Sequence, residues 1–263
     1  MVWNERTDAA RYALILLVAV GLFCLFPRFV GGEVVGPSEE SLFNEANEAY
    51  NGSDFATAIE KYKQFLDVGR ESGEILYNIG NCYFRMEELG RALVYYERAT
   101  MFMPRNRRLL DNIALAESRA ADEIVPPKLL AVVHRLFVWH YMLNDRETSL
   151  LILVVNAAFW VSLCALAVTK KPFVKAAAVV LGLVLVLSAG SYAFRELERL
   201  GMGTAFVTAD EAEVRAGPGD YAVTFSLHDG ARVRLVEARE GWYEIRLADG
   251  KRGWIETDEV ERI

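Results

Sequence analysis

The side chains that could carry out a reaction are few and scattered. In 263 residues there are three cysteines and three histidines. Cys24 and Cys164 sit in apolar runs, and Cys82 stands alone in a helical pattern, where it reads as a small buried apolar residue. His134, His140 and His228 have no cysteine or paired histidine at zinc-type spacing, and His228 has no acidic or nucleophilic partner at a telling spacing. A glycine-rich phosphate loop and a G-x-S-x-G elbow are both missing from the sequence. These absences exclude a disulfide-dense scaffold and lead us to expect no metal, no cofactor and no enzymatic activity. A formal charge of -7, from 29 basic and 36 acidic residues, argues against nucleic acid as a partner, because such binding rests on Lys and Arg neutralising phosphates.

Recognition chemistry remains, and the order of elements decides where it is displayed. The chain is 53% hydrophobic, with those residues gathered into blocks. Tyr12 to Phe26 is uncharged, preceded by Arg6 and Arg11 and followed by Pro27, Arg28 and a loose Gly31-Gly32. Residues 1–32 therefore read either as a signal peptide or as an uncleaved membrane anchor. Phe23, before Cys24, is too bulky for a lipidation site. Residues 149–169 and 176–194 are each long and apolar enough to span a bilayer. The short link Lys170-Lys171-Pro172-Phe173-Val174-Lys175 makes them a hairpin and, with three lysines and no acid, belongs in the cytoplasm by the positive-inside rule. Arg6 and Arg11 give the same orientation, so residues 38–122 and 203–263 are expected on the far side of the membrane. Ala158, Ser162, Ala178 and Gly182 permit close helix approach, and Asn156 could hydrogen-bond across. Residues 128–142, with Trp139, Tyr141 and Arg135 on an apolar stretch, read as an interfacial helix set off by Pro126-Pro127.

Between the first two blocks the sequence repeats itself. Ser53-Asp54-Phe55-Ala56-Thr57-Ala58-Ile59-Glu60-Lys61-Tyr62 aligns with Glu87-Glu88-Leu89-Gly90-Arg91-Ala92-Leu93-Val94-Tyr95-Tyr96 at a displacement of 34 residues. Residues Leu76, Ile79, Gly80, Tyr83, Ala92, Tyr96, Ala99 and Pro104 make the second unit resemble a tetratricopeptide repeat, and Leu42, Ala46, Ala49, Ala58 and Tyr62 give a looser first unit. The units are 39–72 and 73–106, with a capping helix at 107–121. Small residues at Ala46, Gly80, Ala58 and Ala92 would let the helices of each unit cross closely. Two units and a cap make a short solenoid that needs a further layer to cover its apolar faces. The resemblance implies a peptide-binding groove lined by Phe43, Asn44, Asn47, Tyr50, Tyr77, Asn78, Asn81, Phe84, Arg85, Arg108 and Asn112. Asparagine amides there would hold an extended peptide backbone, and the aromatics its apolar side chains. Asn47, Asn78 and Arg108 match positions of the carboxylate-clamp class, while Phe43 stands where that class has a lysine.

From Met202 the pattern changes to short alternating runs broken by Gly, Pro and Asp, which is all-β. Val214-Arg215 with Gly217-Pro218, Gly241-Trp242-Tyr243 and Gly253-Trp254 make residues 203–263 resemble a bacterial SH3 domain, with hairpin turns expected at Asp229-Gly230 and Asp249-Gly250. Tyr221, Trp242, Tyr243 and Trp254 are its candidate ligand surface, at least two of them being expected in the core of so small a barrel. Arg215 reads as a turn-bracing residue.

The fold class expected is therefore multidomain: an all-α tetratricopeptide solenoid, transmembrane helices and a C-terminal all-β SH3-like barrel. In that order the parts resemble the BatE-type proteins of the aerotolerance (Bat) group over almost the whole chain. The resemblance implies a scaffold or adaptor of the bacterial inner membrane, with its domains in the periplasm. The implied partners are von Willebrand A-domain Bat membrane proteins and a MoxR-type AAA+ ATPase, in envelope assembly or stress tolerance. The other reading is a peptidoglycan-recognition protein that recruits cell-wall enzymes.

Overall fold

The computed structural model describes residues 37–122, 142–200 and 203–263. The segment 1–32 and all but the end of 128–142 lie outside the described residues. The chain divides into two units: a helical hairpin, and a body that joins the repeats to the C-terminal strands.

Five helices build the repeats: α1 (Pro37–Asn51), α2 (Phe55–Asp67), α3 (Gly73–Arg85), α4 (Leu89–Phe102) and α5 (Arg107–Arg119). Three of them begin at a short polar side chain that accepts from the first turn. Asp54 takes the Thr57 amide, Ser72 that of Ile75 and Asn106 that of Leu109. Ala46, Ala58, Gly80 and Ala92 are all buried where helices cross. At Gly80 a Cβ would sit 2.5 Å from the Tyr96 ring, so glycine is what lets that ring reach the α3 backbone. Leu76, Ile79, Leu93, Tyr62 and Tyr96 fill the core without exposure above 1%.

In the other unit, α6 (Asp145–Thr169) and α7 (Pro172–Leu200) contain two stretches long and apolar enough to cross a membrane, Arg146–Thr169 and Pro172–Gly190. Their apolar side chains face outward, Val161, Val168 and Val186 being 67%, 73% and 70% exposed. The link is tighter than the six-residue loop expected from sequence. Pro172 already starts α7, where its fixed φ and missing amide suit the first helical position, and Lys170 turns the chain at φ 50°. Gly182 receives the Phe159 ring, a Cβ there falling 3.2 Å from it. Asn156 makes no bond across, its buried Oδ1 having no partner.

The C-terminal region is a seven-stranded antiparallel sheet. Its strands are β1 (Thr204–Val207), β2 (Glu211–Arg215), β3 (Val223–His228), β4 (Arg232–Arg239), β5 (Trp242–Arg246), β6 (Arg252–Glu256) and β7 (Val260–Arg262). Their order is β3-β2-β6-β5-β4-β1-β7. Alternation places Val214, Leu227, Val233, Leu235, Ile245 and Ile255 inside. Asp249-Gly250 makes the expected turn between the paired β5 and β6, with Gly250 at φ 95°. Asp229-Gly230 does not close a hairpin, because β3 and β4, which it joins, are not neighbours. A hairpin unforeseen in sequence lies at Glu240-Gly241, both at positive φ, between β4 and β5.

The Asp229-Gly230 turn serves the repeats instead. Helix α4 has Glu88 at its N-cap with no side-chain capping bond, and the Leu89 and Gly90 amides donate to the Asp229 carboxylate at 2.6 and 2.8 Å. At Gly90 a Cβ would collide with the Val207 carbonyl oxygen. Phe206 of β1 is fully buried in the repeat core, and Ile263 packs on it. Arg232 pairs with Glu97 of α4 and, at 3.3 Å, with Glu117 of α5. The layer that the short solenoid lacks is thus supplied by α5 and the barrel together.

Candidate functional site

The candidate groove asparagines form one network with the tyrosines of the second helices. Tyr62 donates to Asn47 Oδ1 at 2.6 Å and accepts from Asn78 Nδ2 at 3.3 Å. One repeat later Tyr96 donates to Asn81 Oδ1 at 2.8 Å, and Asn112 Nδ2 reaches Asn81 Oδ1 at 2.9 Å and the Tyr77 hydroxyl at 3.2 Å. Burial pushes the Tyr62 phenol up to about 12 and raises Tyr96 as well, so both keep the proton they donate. That proton fixes each amide: an oxygen facing a phenol leaves the nitrogen facing away. Asn47 and Asn81 consequently offer a free Nδ2 donor, and Asn78 and Asn112 a free Oδ1 acceptor, none with a partner among the described residues. Donor and acceptor recur in both layers, which is the complement of a peptide's carbonyl and amide.

The other sequence-named residues divide. Asn44 is exposed and makes no hydrogen bond among the described residues. Phe43 is tied inward, its ring edge-on to Tyr62 and Phe65 at 5.9 and 6.3 Å. Tyr50 packs on Phe55 at 5.5 Å, and Tyr77 lies 6.0 Å from Tyr96. Phe84 is half-buried beneath Arg119, Arg85 lies over Phe55, and Arg108 is exposed. Cys82 is fully buried, and burial pushes its thiol up to about 12, leaving it an inert packing group.

On the barrel, none of the four aromatics is fully buried, contrary to expectation, because aliphatic side chains fill the interior. Trp242 and Trp254 share one outward face, diagonal to each other across β5 and β6, in registers Trp242↔Glu256 and Glu244↔Trp254. Arginines cover both rings: Arg215 stands 5.7 Å from Trp242 and Arg239 5.3 Å from Trp254. Arg215 also donates to the Gly219 carbonyl at 3.2 Å, bracing the loop that carries Tyr221, which is 59% exposed. Tyr243 belongs to the opposite face, paired with Ile255 and packed on the barrel core.

Sequence reading missed the joint between the domains. His228 donates through its backbone to Asp122 at 2.7 Å, with its ring 3.3 Å from the same carboxylate, although the two are 106 positions apart. Asp229 was legible only as a turn residue. The available signal was Glu88, which stands where the first unit has its cap Asp54 and is too long to cap in that way. Among the described residues no group of three or more His, Cys, Asp or Glu could hold a metal ion.

Two family models match this architecture. Residues 73–106 match the tetratricopeptide repeat and residues 210–261 the bacterial SH3 domain. No curated protein matches the chain significantly. A tetratricopeptide repeat beside a bacterial SH3 domain points to binding of proteins or of cell wall rather than to one fixed ligand.

Proposed function

We propose that this chain is a non-enzymatic, membrane-anchored scaffold that gathers protein partners through its repeat groove and its SH3 domain on the periplasmic side of the bacterial inner membrane. The observation that carries the reading is the doubled row of amide donors and acceptors, each held in one orientation by a buried tyrosine hydroxyl. Such preset polar atoms suit an extended segment of another protein, since binding it costs no reorganisation of the groove. The outward-facing apolar hairpin supports the anchor, and Lys170, Lys171 and Lys175 at its tip support a cytoplasmic turn. The resemblance to BatE-type proteins adds the company: von Willebrand A-domain Bat proteins and a MoxR-type AAA+ system, in envelope stress or aerotolerance.

A second reading, peptidoglycan recognition with recruitment of wall enzymes, is favoured by the paired Trp242 and Trp254 under Arg215 and Arg239. The detergent-solubilised chain, sedimented with purified peptidoglycan at low salt, separates the two. The scaffold reading expects the chain in the supernatant; pelleting that Trp242→Ala and Trp254→Ala abolish would transfer the function to wall binding.

A further inference from the structure

Arg85 and Arg119 hold the same position in successive layers, in the last turns of α3 and α5. Each is exposed and lies over an aromatic ring, Arg85 at 5.2 Å from the Phe55 centroid and Arg119 at 4.7 Å from that of Phe84. Neither has a hydrogen bond or ion pair among the described residues. Arg70, Arg98 and Arg91 differ, reaching Glu39 at 3.3 Å, Glu71 at 2.6 Å and Glu88 respectively, while Arg108 is unpaired among the described residues but lies over no aromatic ring. Acids near these helix ends are engaged elsewhere, Glu117 by Arg232 and Asp122 by His228. Glu87 is exposed and makes no pair with Arg85. A helix C-terminus explains why a cation is comfortable there, but not why two recur one repeat apart with their donor edges unused. A guanidinium held over an aromatic face keeps its forked N–H donors, which can take a carboxylate with two parallel bonds.

We infer that Arg85 and Arg119 read two carboxylates on an acidic, extended peptide lying along the groove. The inference rests on the groove reading above and gives its ligand a chemical class. Packed helices stand roughly 8–10 Å apart. A polyproline-type strand returns to the same face every third residue after roughly 9 Å. Acidic side chains at positions i and i+3 of such a strand match that helix spacing, and the Asn81 donor and Asn112 acceptor lie on the same two helices, N-terminal to the arginines.

The test uses the full chain in neutral-lipid nanodiscs and fluorescent, end-blocked peptides of Pro, Ala and Ser carrying two glutamates. Binding is expected for glutamates at i and i+3, weaker by about tenfold or more when both are glutamine or are adjacent. Arg85→Gln and Arg119→Gln should each cost about tenfold. Arg107→Gln, an equal change of charge on exposed α5 surface, should cost nothing. Equal binding of the glutamine peptide, indifference to both groove substitutions, an equal loss with Arg107→Gln, or displacement by inorganic phosphate as readily as by peptide would each overturn the inference. If in-cell capture still depends on Asn44 while ignoring Arg85→Gln and Arg119→Gln, the acidic-ligand inference fails and the groove reading stands. If no capture depends on the groove, both fail.

Discussion

Among the contacts that join the repeats to the barrel, one carboxylate of the barrel caps a helix of the repeats. Asp229 accepts from the first two amides of α4, Leu89 and Gly90, where the local residue Glu88 accepts from neither. Asp229→Ala should remove a cap worth about 1 kcal/mol and speed hydrogen exchange at Leu89 and Gly90 ahead of the rest of α4. Burial raises the Asp229 carboxyl above its ordinary 3.8, outweighing the two amides that lower it. A carboxyl raised on folding binds its proton more tightly in the folded state, so its stability contribution is full below 3.8 and lost as pH rises through the raised value. The difference in Tm between wild type and Asp229→Asn should therefore widen as pH falls through that window, and a constant or narrowing difference would contradict the assignment. Tyr62→Phe and Tyr96→Phe each remove the proton that orients an asparagine, with an expected loss of about 1 kcal/mol in denaturant unfolding. The asparagines and tyrosines were legible in sequence because they repeat with the period of the fold. Their mutual bonds were not, since sequence aligns equivalent positions and does not say that Tyr62 lies between Asn47 and Asn78.

At the scale of elements, period and alternation carried most of the information. Helices α3 and α4 lie within the unit that sequence marked as 73–106, and Trp242 and Trp254 share a face because each strand alternates. What failed was pairing. Asp229-Gly230 has the composition of a hairpin turn, yet the strands it joins pair with other neighbours, and only the closed sheet decides that. The expectation of buried barrel aromatics failed for a related reason. Aliphatic side chains take the fully buried positions, and Tyr243 packs against them only partly buried. Contacts between elements give sharp tests at glycine. Gly90→Ala would drive a methyl into the Val207 carbonyl and should undock β1 from α4, costing on the order of 1–3 kcal/mol in urea unfolding and exposing the Arg232–Glu97 pair to salt. A stability within a few tenths of a kcal/mol of wild type would mean that the domains do not meet there.

In the whole molecule the repeats and the barrel form one body, with the apolar hairpin inserted between them in the sequence. If Lys170 and Lys171 mark the cytoplasmic side, both soluble parts share the opposite side. In a chain with Cys24 and Cys164 replaced by alanine, Asp249→Cys should react with a membrane-impermeant maleimide in intact cells. Cys82 contributes little background, being buried with a thiol pushed up to about 12. Labelling only after lysis would reverse the topology. The central claim, that a preset groove recruits proteins, is tested most directly by mild crosslinking in living cells, detergent extraction and mass spectrometry of what accompanies the wild type compared with an Asn44→Glu, Asn78→Ala variant. The account predicts von Willebrand A-domain membrane proteins with the wild type and their loss from the variant. Wall enzymes or muropeptides recovered equally with both would contradict it and leave the SH3 domain as the recognition element.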